Sequence, residues 1–181
     1  MKRIYETSIQ GCFEIHPLDL RDYRGRFVKP FHQEAFRELG LELDIKEEYY
    51  SVSKKHVLRG LHFQLPPKAT IKVVTCLSGI IYDAVVDLRV DSPTYLKHFA
   101  VELSEEKGNL LYIPKGLAHG FCTLSDEATV LYMCSEVYSQ DHDTGLKWSS
   151  AGISWPVKNP VVSEKDEGLD ELKQFNSPFK L

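Results

Sequence analysis

Two histidines stand in strings suited to acid–base chemistry. His62 sits in Leu58-Arg59-Gly60-Leu61-His62-Phe63-Gln64, and His119 follows a Pro-x-Gly turn in Gly108-Asn-Leu-Leu-Tyr-Ile-Pro114-Lys-Gly116-Leu-Ala-His119. Free imidazole titrates near pH ~6.5, so either ring could take or give a proton at working pH. A tightly bound transition metal needs three or four ligands, and Phe63-Gln64 stand where a second histidine would complete an H-x-H pair. The two rings therefore read as acid–base or hydrogen-bonding groups, against the plain alternative of satisfied structural histidines. Lys72 lies between Ile71 and Val73 in an apolar run, where an ammonium is costly unless it snorkels out or serves a purpose. Asp83 and Asp87 interrupt the apolar run Ile80–Leu88 and call for buried partners.

These groups need a framework, and the chain reads as mainly β with helical trim. A short helix is expected at Pro30–Leu39, where Phe31, Ala35, Phe36 and Leu39 recur at helical spacing and Gly40 can end it. Strands are expected at Glu48–Ser53, Thr70–Leu77, Ile80–Leu88, Lys97–Leu103, Asn109–Ile113, His119–Leu124 and Thr129–Tyr138. Ser78-Gly79 suggests a tight hairpin between the second and third of these. Many short strands at regular spacing mean a sandwich or barrel rather than a parallel α/β sheet. Ser163 followed by Asp166 marks a helix start near the acidic tail. No linker or repeat divides the chain, so one domain over residues 1–181 is expected.

The 181 residues carry 22 Lys+Arg against 26 Asp+Glu, a net charge of −4, which argues against nucleic-acid partners. An anionic ligand would have to be held by a local group of cations. No apolar stretch approaches the ~18 residues of a membrane span, and the N-terminus lacks the apolar core of a signal peptide. The four cysteines form no C-x-x-C pair, and Cys76 and Cys134 lie in apolar runs typical of buried free thiols. A reduced, cytoplasmic location is the expectation.

The spacing G-x5-P-x-G-x2-H ending at His119 is similar to the second signature motif of the cupin jelly rolls. A more specific likeness rests on several strings in order. They are Val57-Leu-Arg-Gly-Leu-His-Phe-Gln64, Tyr82-Asp-Ala-Val-Val-Asp-Leu-Arg89, Asp91-Ser-Pro-Thr94, Ile113-Pro-Lys-Gly-Leu-Ala-His-Gly-Phe121, Leu131-Tyr132 and Ser163-Glu-Lys-Asp166. Together they resemble the dTDP-4-dehydrorhamnose 3,5-epimerase family of metal-free cupins, from about Gly11 to Asp166. The resemblance implies a cupin-type jelly-roll β-barrel with short peripheral helices and no metal or cofactor. It implies epimerisation at C3 and/or C5 of a nucleotide-diphosphate 4-keto-6-deoxy sugar. His62 then matches the base, Asp166 the carboxylate that pairs with it, Tyr132 the acid on the opposite face, and Lys72 the cation near the developing oxyanion. His119 is read either as hydrogen bonding the substrate ketone or as orienting Asp83. Arg24, Phe27, Lys29 and Arg59 match substrate-binding positions, the arginines for the diphosphate, where a planar guanidinium fork suits phosphate oxygens. The likeness further implies a homodimer with strands exchanged, for which Tyr49–Val52 and the N-terminal strand are candidates.

Plainer readings compete at several of these positions. Tyr132 could be a core aromatic, Asp166 a helix cap and Arg24 an ordinary turn arginine. A metal-dependent cupin enzyme and a non-catalytic sugar-nucleotide-binding jelly roll are the rival functions. Three departures bear on the base. Lys29 stands where the family has Glu, Glu47-Glu48-Tyr49 replaces its Q-x-N, and Leu18-Asp19-Leu20 replaces an aromatic. A cation in place of an acceptor reverses the hydrogen-bonding demand, so GDP or CDP enters as an alternative to dTDP.

Overall fold

Alternating and continuous apolar runs become thirteen strands in the computed structural model, which describes residues 3–181. One antiparallel sheet has the order β1 (Arg3–Glu6), β2 (Phe13–His16), β10 (Leu110–Ile113), β7 (Lys72–Ser78), β12 (Glu127–Cys134), β5 (Glu47–Lys54). The second has the order β13 (Asp143–Gly145), β6 (Leu58–Gln64), β11 (Leu117–Thr123), β8 (Ile80–Asp87), β9 (His98–Ser104). A separate two-stranded ribbon pairs β3 (Leu18–Asp22) with β4 (Gly25–Lys29). The architecture is a jelly roll in sandwich form. Its two sheets face each other without being hydrogen-bonded into a closed barrel.

Three apolar clusters explain why several strands read as unbroken hydrophobic runs. Val74, Cys76, Val85, Leu111, Phe121 and Val130, drawn from both sheets, pack between them. Their chain neighbours point the other way. Val73, Leu110 and Met133 meet Phe36 and Leu41 beyond the six-stranded sheet, and Val86 and Ala118 meet Leu146 and Phe179 beyond the five-stranded one. A strand covered on both faces has no polar side to alternate with.

Helix α1 (Gln33–Glu38) is shorter than the expected Pro30–Leu39. His32 caps it, its Nδ1 accepting from the Ala35 N–H at 3.3 Å, so Pro30 and Phe31 lie outside, and Gly40 at φ +72° ends it as expected. The expected Ser78-Gly79 hairpin does not form. β7 and β8 belong to different sheets, and Gly79 (φ +83°) turns the chain from one to the other, its α-carbon so close to the Glu127 carbonyl that a Cβ would collide. Both strands are buried on two faces, so their patterning could not say which sheet each joins. β11 begins at Leu117, placing His119 two residues inside the strand rather than at its start. β12 ends at Cys134, short of the expected Tyr138. Helix α2 (Glu164–Glu167) starts where expected, with the Ser163 hydroxyl accepting from the Asp166 N–H at 3.1 Å.

Asp87 anchors one corner. Its carboxylate accepts from Arg89 Nε and Nη2, both at 2.8 Å, and from the Ser92 and Thr94 hydroxyls, both at 2.6 Å. Arg89 Nη2 also donates to the Gln10 carbonyl. The strings Asp87-Leu-Arg89 and Asp91-Ser-Pro-Thr94 therefore build a corner of the scaffold.

Candidate active site

A cavity of about 410 Å³ opens between the two sheets, within the size range of small-ligand pockets. The five-stranded sheet supplies Arg59, His62 and Gln64 from β6 and His119 and Phe121 from β11. The six-stranded sheet supplies Glu47, Tyr49 and Ser51 from β5, Lys72 from β7, and Tyr132 and Cys134 from β12. Most are spaced by two along their strands, because alternate side chains face inward; Arg59 and His62 are three apart, where the β6–β11 register shifts.

Close backbone packing sets His62. The β6–β11 register pairs His62 with His119, and Gly60 makes that approach possible. A Cβ on Gly60 would lie 2.5 Å from the Gly120 α-carbon and 2.9 Å from the His119 carbonyl oxygen, at a φ of +133°. His62 Nε2 is 2.7 Å from Asp166 Oδ1, while Asp166 Oδ2 accepts from the Gly60 N–H at 3.1 Å. Asp166 is 4% exposed. Burial pulls its pKa upward, but the hydrogen bond and charge of His62, the Gly60 N–H and the Ser163 hydroxyl outweigh that, and the carboxyl lies below its ordinary range. An ionised Asp166 accepts from Nε2–H and leaves the lone pair of His62 on Nδ1.

A second imidazole–carboxylate pair lies deeper. His119 Nε2 is 2.9 Å from Asp83 Oδ2, and Asp83 is fully buried. Burial raises the pKa of Asp83, opposed by the charge and hydrogen bond of His119 and by Lys72. Asp83 Oδ1 has no hydrogen-bond partner among the described residues. His119 thus contacts Asp83 while also lining the cavity.

Tyr132 faces these pairs from the other sheet, 7% exposed. Its ring stacks on Tyr49 (centroids 4.7 Å apart, planes at 16°) and meets His119 edge-on at 6.1 Å. Burial, then the nearby Tyr49 and Asp83, hold its phenol protonated well above the ordinary tyrosine range. Lys72 opens β7 opposite Cys134, and burial lowers its pKa. Arg59 is steered by its Nε bond to Ser53 Oγ at 2.9 Å.

The rim is acidic, and two of its carboxylates are paired with lysines while a third accepts from backbone. Glu136 is 3.4 Å from both Lys46 and Lys68, Asp143 is 2.6 Å from Lys165, and Glu47 accepts from the Tyr138 N–H at 2.7 Å. Gln64, at the position where a second metal-binding histidine would stand, bonds to the Lys68 and Val137 carbonyls and to the Ser139 N–H. These bonds hold residues 135–139 as a loop beside the cavity, which is why β12 stops early. No group of three His, Cys, Asp or Glu side chains able to hold a metal occurs among the described residues.

Thus the structure brings together His62, Asp166, Tyr132, Lys72, His119 and Arg59. It does not bring Arg24, Phe27 and Lys29 to the cavity of the same chain. They lie on the β3–β4 ribbon, where Arg24 is exposed and pairs with Asp22 at 2.6 Å, and Phe27 is 56% exposed. The ribbon touches the body through Arg21 to Glu106 and Arg26 to the Glu105 carbonyl. Sequence reasoning did not single out Ser51, Gln64, Phe121, Cys134 or Glu136 as lining residues. Stepping by two along each strand from His62, His119 and Tyr132 would have found Gln64, Phe121 and Cys134.

The family described as dTDP-4-dehydrorhamnose 3,5-epimerase matches residues 6–174. A dTDP-4-dehydrorhamnose 3,5-epimerase of Shigella flexneri is 43% identical over 166 residues, covering 90% of this chain and 92% of its own. The structure of a Legionella pneumophila dTDP-6-deoxy-D-glucose-3,5-epimerase, solved with dTDP-4-keto-L-rhamnose, superposes with a TM-score of 0.94 at 32% identity, covering 99% of this chain and 98% of that one. A 4-keto-6-deoxy sugar epimerase of Streptomyces spheroides gives 0.91 at 35% identity, covering 95% and 88%.

Proposed function

The chain belongs to the dTDP-4-dehydrorhamnose 3,5-epimerase family, and from that membership we propose that it inverts C3, C5 or both of a nucleotide-diphosphate 4-keto-6-deoxy sugar. It is an isomerase of deoxysugar biosynthesis. The observation that carries the chemistry is the placement of base and acid on opposite sheets. His62 projects from the five-stranded sheet and Tyr132 from the six-stranded one, both into one cavity.

The ketone at C4 acidifies the neighbouring C–H bonds. His62 Nδ1 takes the proton from one face of the sugar, and the ionised Asp166 stabilises the imidazolium that forms. The electron pair moves onto O4, where Lys72 donates to the developing oxyanion. Its burial strengthens that interaction because little water competes. Tyr132, kept protonated by its surroundings, delivers a proton to the carbon from the opposite face, and the centre is inverted. Each proton removed is replaced, so the reaction is redox-neutral; the His62 imidazolium then releases its proton to solvent and the Tyr132 phenolate regains one from it.

Arg59 binds the diphosphate from within the chain. For Arg24, Phe27 and Lys29 to reach substrate, the β3–β4 ribbon must enter the cavity of a second copy in a homodimer. Two features support this reading. The ribbon exposes Leu20 and Phe27, each 56%, and β5 is a sheet edge carrying exposed Tyr50 and Val52. Unpaired edges and apolar side chains in water are what a partner covers. Lys29 would then meet the base as a donor, which suits a guanine or cytosine carbonyl alongside the dTDP named for the relatives.

The test is His62→Ala assayed by solvent deuterium uptake into a nucleotide-linked 4-keto-6-deoxy sugar. Loss of a positioned general base should slow exchange by about 10²–10⁴-fold. Undiminished exchange would assign the base elsewhere.

A further inference from the structure

We propose that Tyr49 is a positioning residue for the inversion step: its ring, stacked on Tyr132 in the same cavity, holds the proton donor aimed at the sugar. This deepens the epimerase reading and rests on it.

Reprotonation from the far face demands more of the donor than abstraction demands of the base. His62 is fixed by a carboxylate that is itself tied to backbone. The Tyr132 hydroxyl is approached by the Ser51 hydroxyl of β5, itself buried and without another partner among the described residues, rather than held by a carboxylate tied to backbone. The main restraint on Tyr132 is contact between rings. His119 meets it edge-on at 6.1 Å, and Tyr49 covers one face at 4.7 Å with planes only 16° apart. The stack follows from strand register, since residues 49 and 132 stand directly opposite on β5 and β12. Directly opposed residues in an antiparallel pair are close enough for aromatic rings to lock one another's rotamer. Tyr49 also lies beside Cys134, which faces Lys72 across β7. Its ring thus walls the cavity on the β5 side of the proton donor, with Lys72 on the β7 side.

Tyr49 sits on the edge strand and is 43% exposed, so its truncation spares the core. The experiment compares the full chain with Tyr49→Phe and Tyr49→Ala in D₂O, using 4-keto-6-deoxy sugars linked to dTDP, GDP and CDP. Deuterium uptake reports abstraction by His62, and product stereochemistry reports delivery by Tyr132. A donor displaced by about 1 Å should lose inversion by about 10²-fold. Tyr49→Ala should therefore exchange deuterium near the normal rate with little inversion, while Tyr49→Phe, which keeps the stack, inverts normally. An unchanged ratio of inversion to exchange in Tyr49→Ala overturns the positioning role, as does equal loss of both activities. Absence of exchange in the unsubstituted protein with all three nucleotide sugars overturns the epimerase reading as well, so the two failures are told apart.

Discussion

Asp166 gives the sharpest single-residue prediction, because its two oxygens have separate jobs. Oδ1 meets His62 Nε2 at 2.7 Å, and Oδ2 takes the Gly60 N–H at 3.1 Å. In Asp166→Asn the amide oxygen can keep the Gly60 bond, but the amide NH₂ then faces Nε2. The imidazole must switch tautomer to accept from it, which moves the ring proton to Nδ1 and removes the lone pair that works on the sugar. The same error in a hydrolase triad costs about 10⁴-fold, and here the loss should be about 10²–10⁴-fold in exchange rate. Asp166→Ala loses the tautomer control and also strands a buried N–H, at about 1–3 kcal/mol of stability. Deuterium exchange and urea unfolding, run on both variants, separate the two effects. Asn should be nearly inactive with an unfolding midpoint close to normal, and Ala should be impaired in both. The carboxyl's lowered pKa adds a sign. Its stabilisation is fully present above the unfolded value of ~3.9 and is lost as pH falls through the lower folded value. The advantage of the unsubstituted protein over Ala should therefore shrink only in strong acid. Exchange in Asp166→Asn equal to the unsubstituted rate would refute the reasoning.

Tyr132→Phe should allow abstraction but block delivery, so deuterium uptake without epimeric product, read by NMR, is expected. Asp87→Ala leaves Arg89 charged and 4% exposed without its partner, and denaturant titration should show a loss of about 3–5 kcal/mol with the active site untouched. Burial raises the Asp87 pKa, but bonds from Arg89, Ser92 and Thr94 bring it below normal, so its contribution also holds above ~3.9 and disappears only below that pH. Gly60→Ala would force β6 away from β11 beside His62, and the yield of folded protein or its exchange activity should collapse.

The composition of the site was legible in the sequence to the extent that local strings carried it. His62 lies in a run whose glycine is needed for one close approach, and Lys72 betrayed itself by breaking an apolar strand. Asp83 and Asp87 were correctly read as partnered, but their partners, His119 and the Arg89 corner, have opposite meanings, one lining the cavity and one bracing the scaffold. The sheet assignment of β7 and β8 was not legible. Both are apolar on two faces, and a single glycine turn can close a hairpin or cross between sheets. Nor could spacing reveal that Glu136 is matched by Lys46 and Lys68 and Asp143 by Lys165, which leaves Arg59 and Lys72 as the cavity's cations in an acidic chain. Tyr49 registered as a departure from a pattern and as part of a candidate interface strand, Tyr49–Val52. Its contact with Tyr132 is set by register across 83 residues of chain, which local spacing does not encode.

The central claim is proton exchange next to a ketone between two sheets. Its most direct measurement is incubation in D₂O with 4-keto-6-deoxyhexoses carried on dTDP, GDP and CDP, followed by mass spectrometry and NMR of the sugar. Deuterium should enter at C3, C5 or both with at least one nucleotide and appear in an inverted product. Failure to incorporate deuterium with any of the three would contradict it.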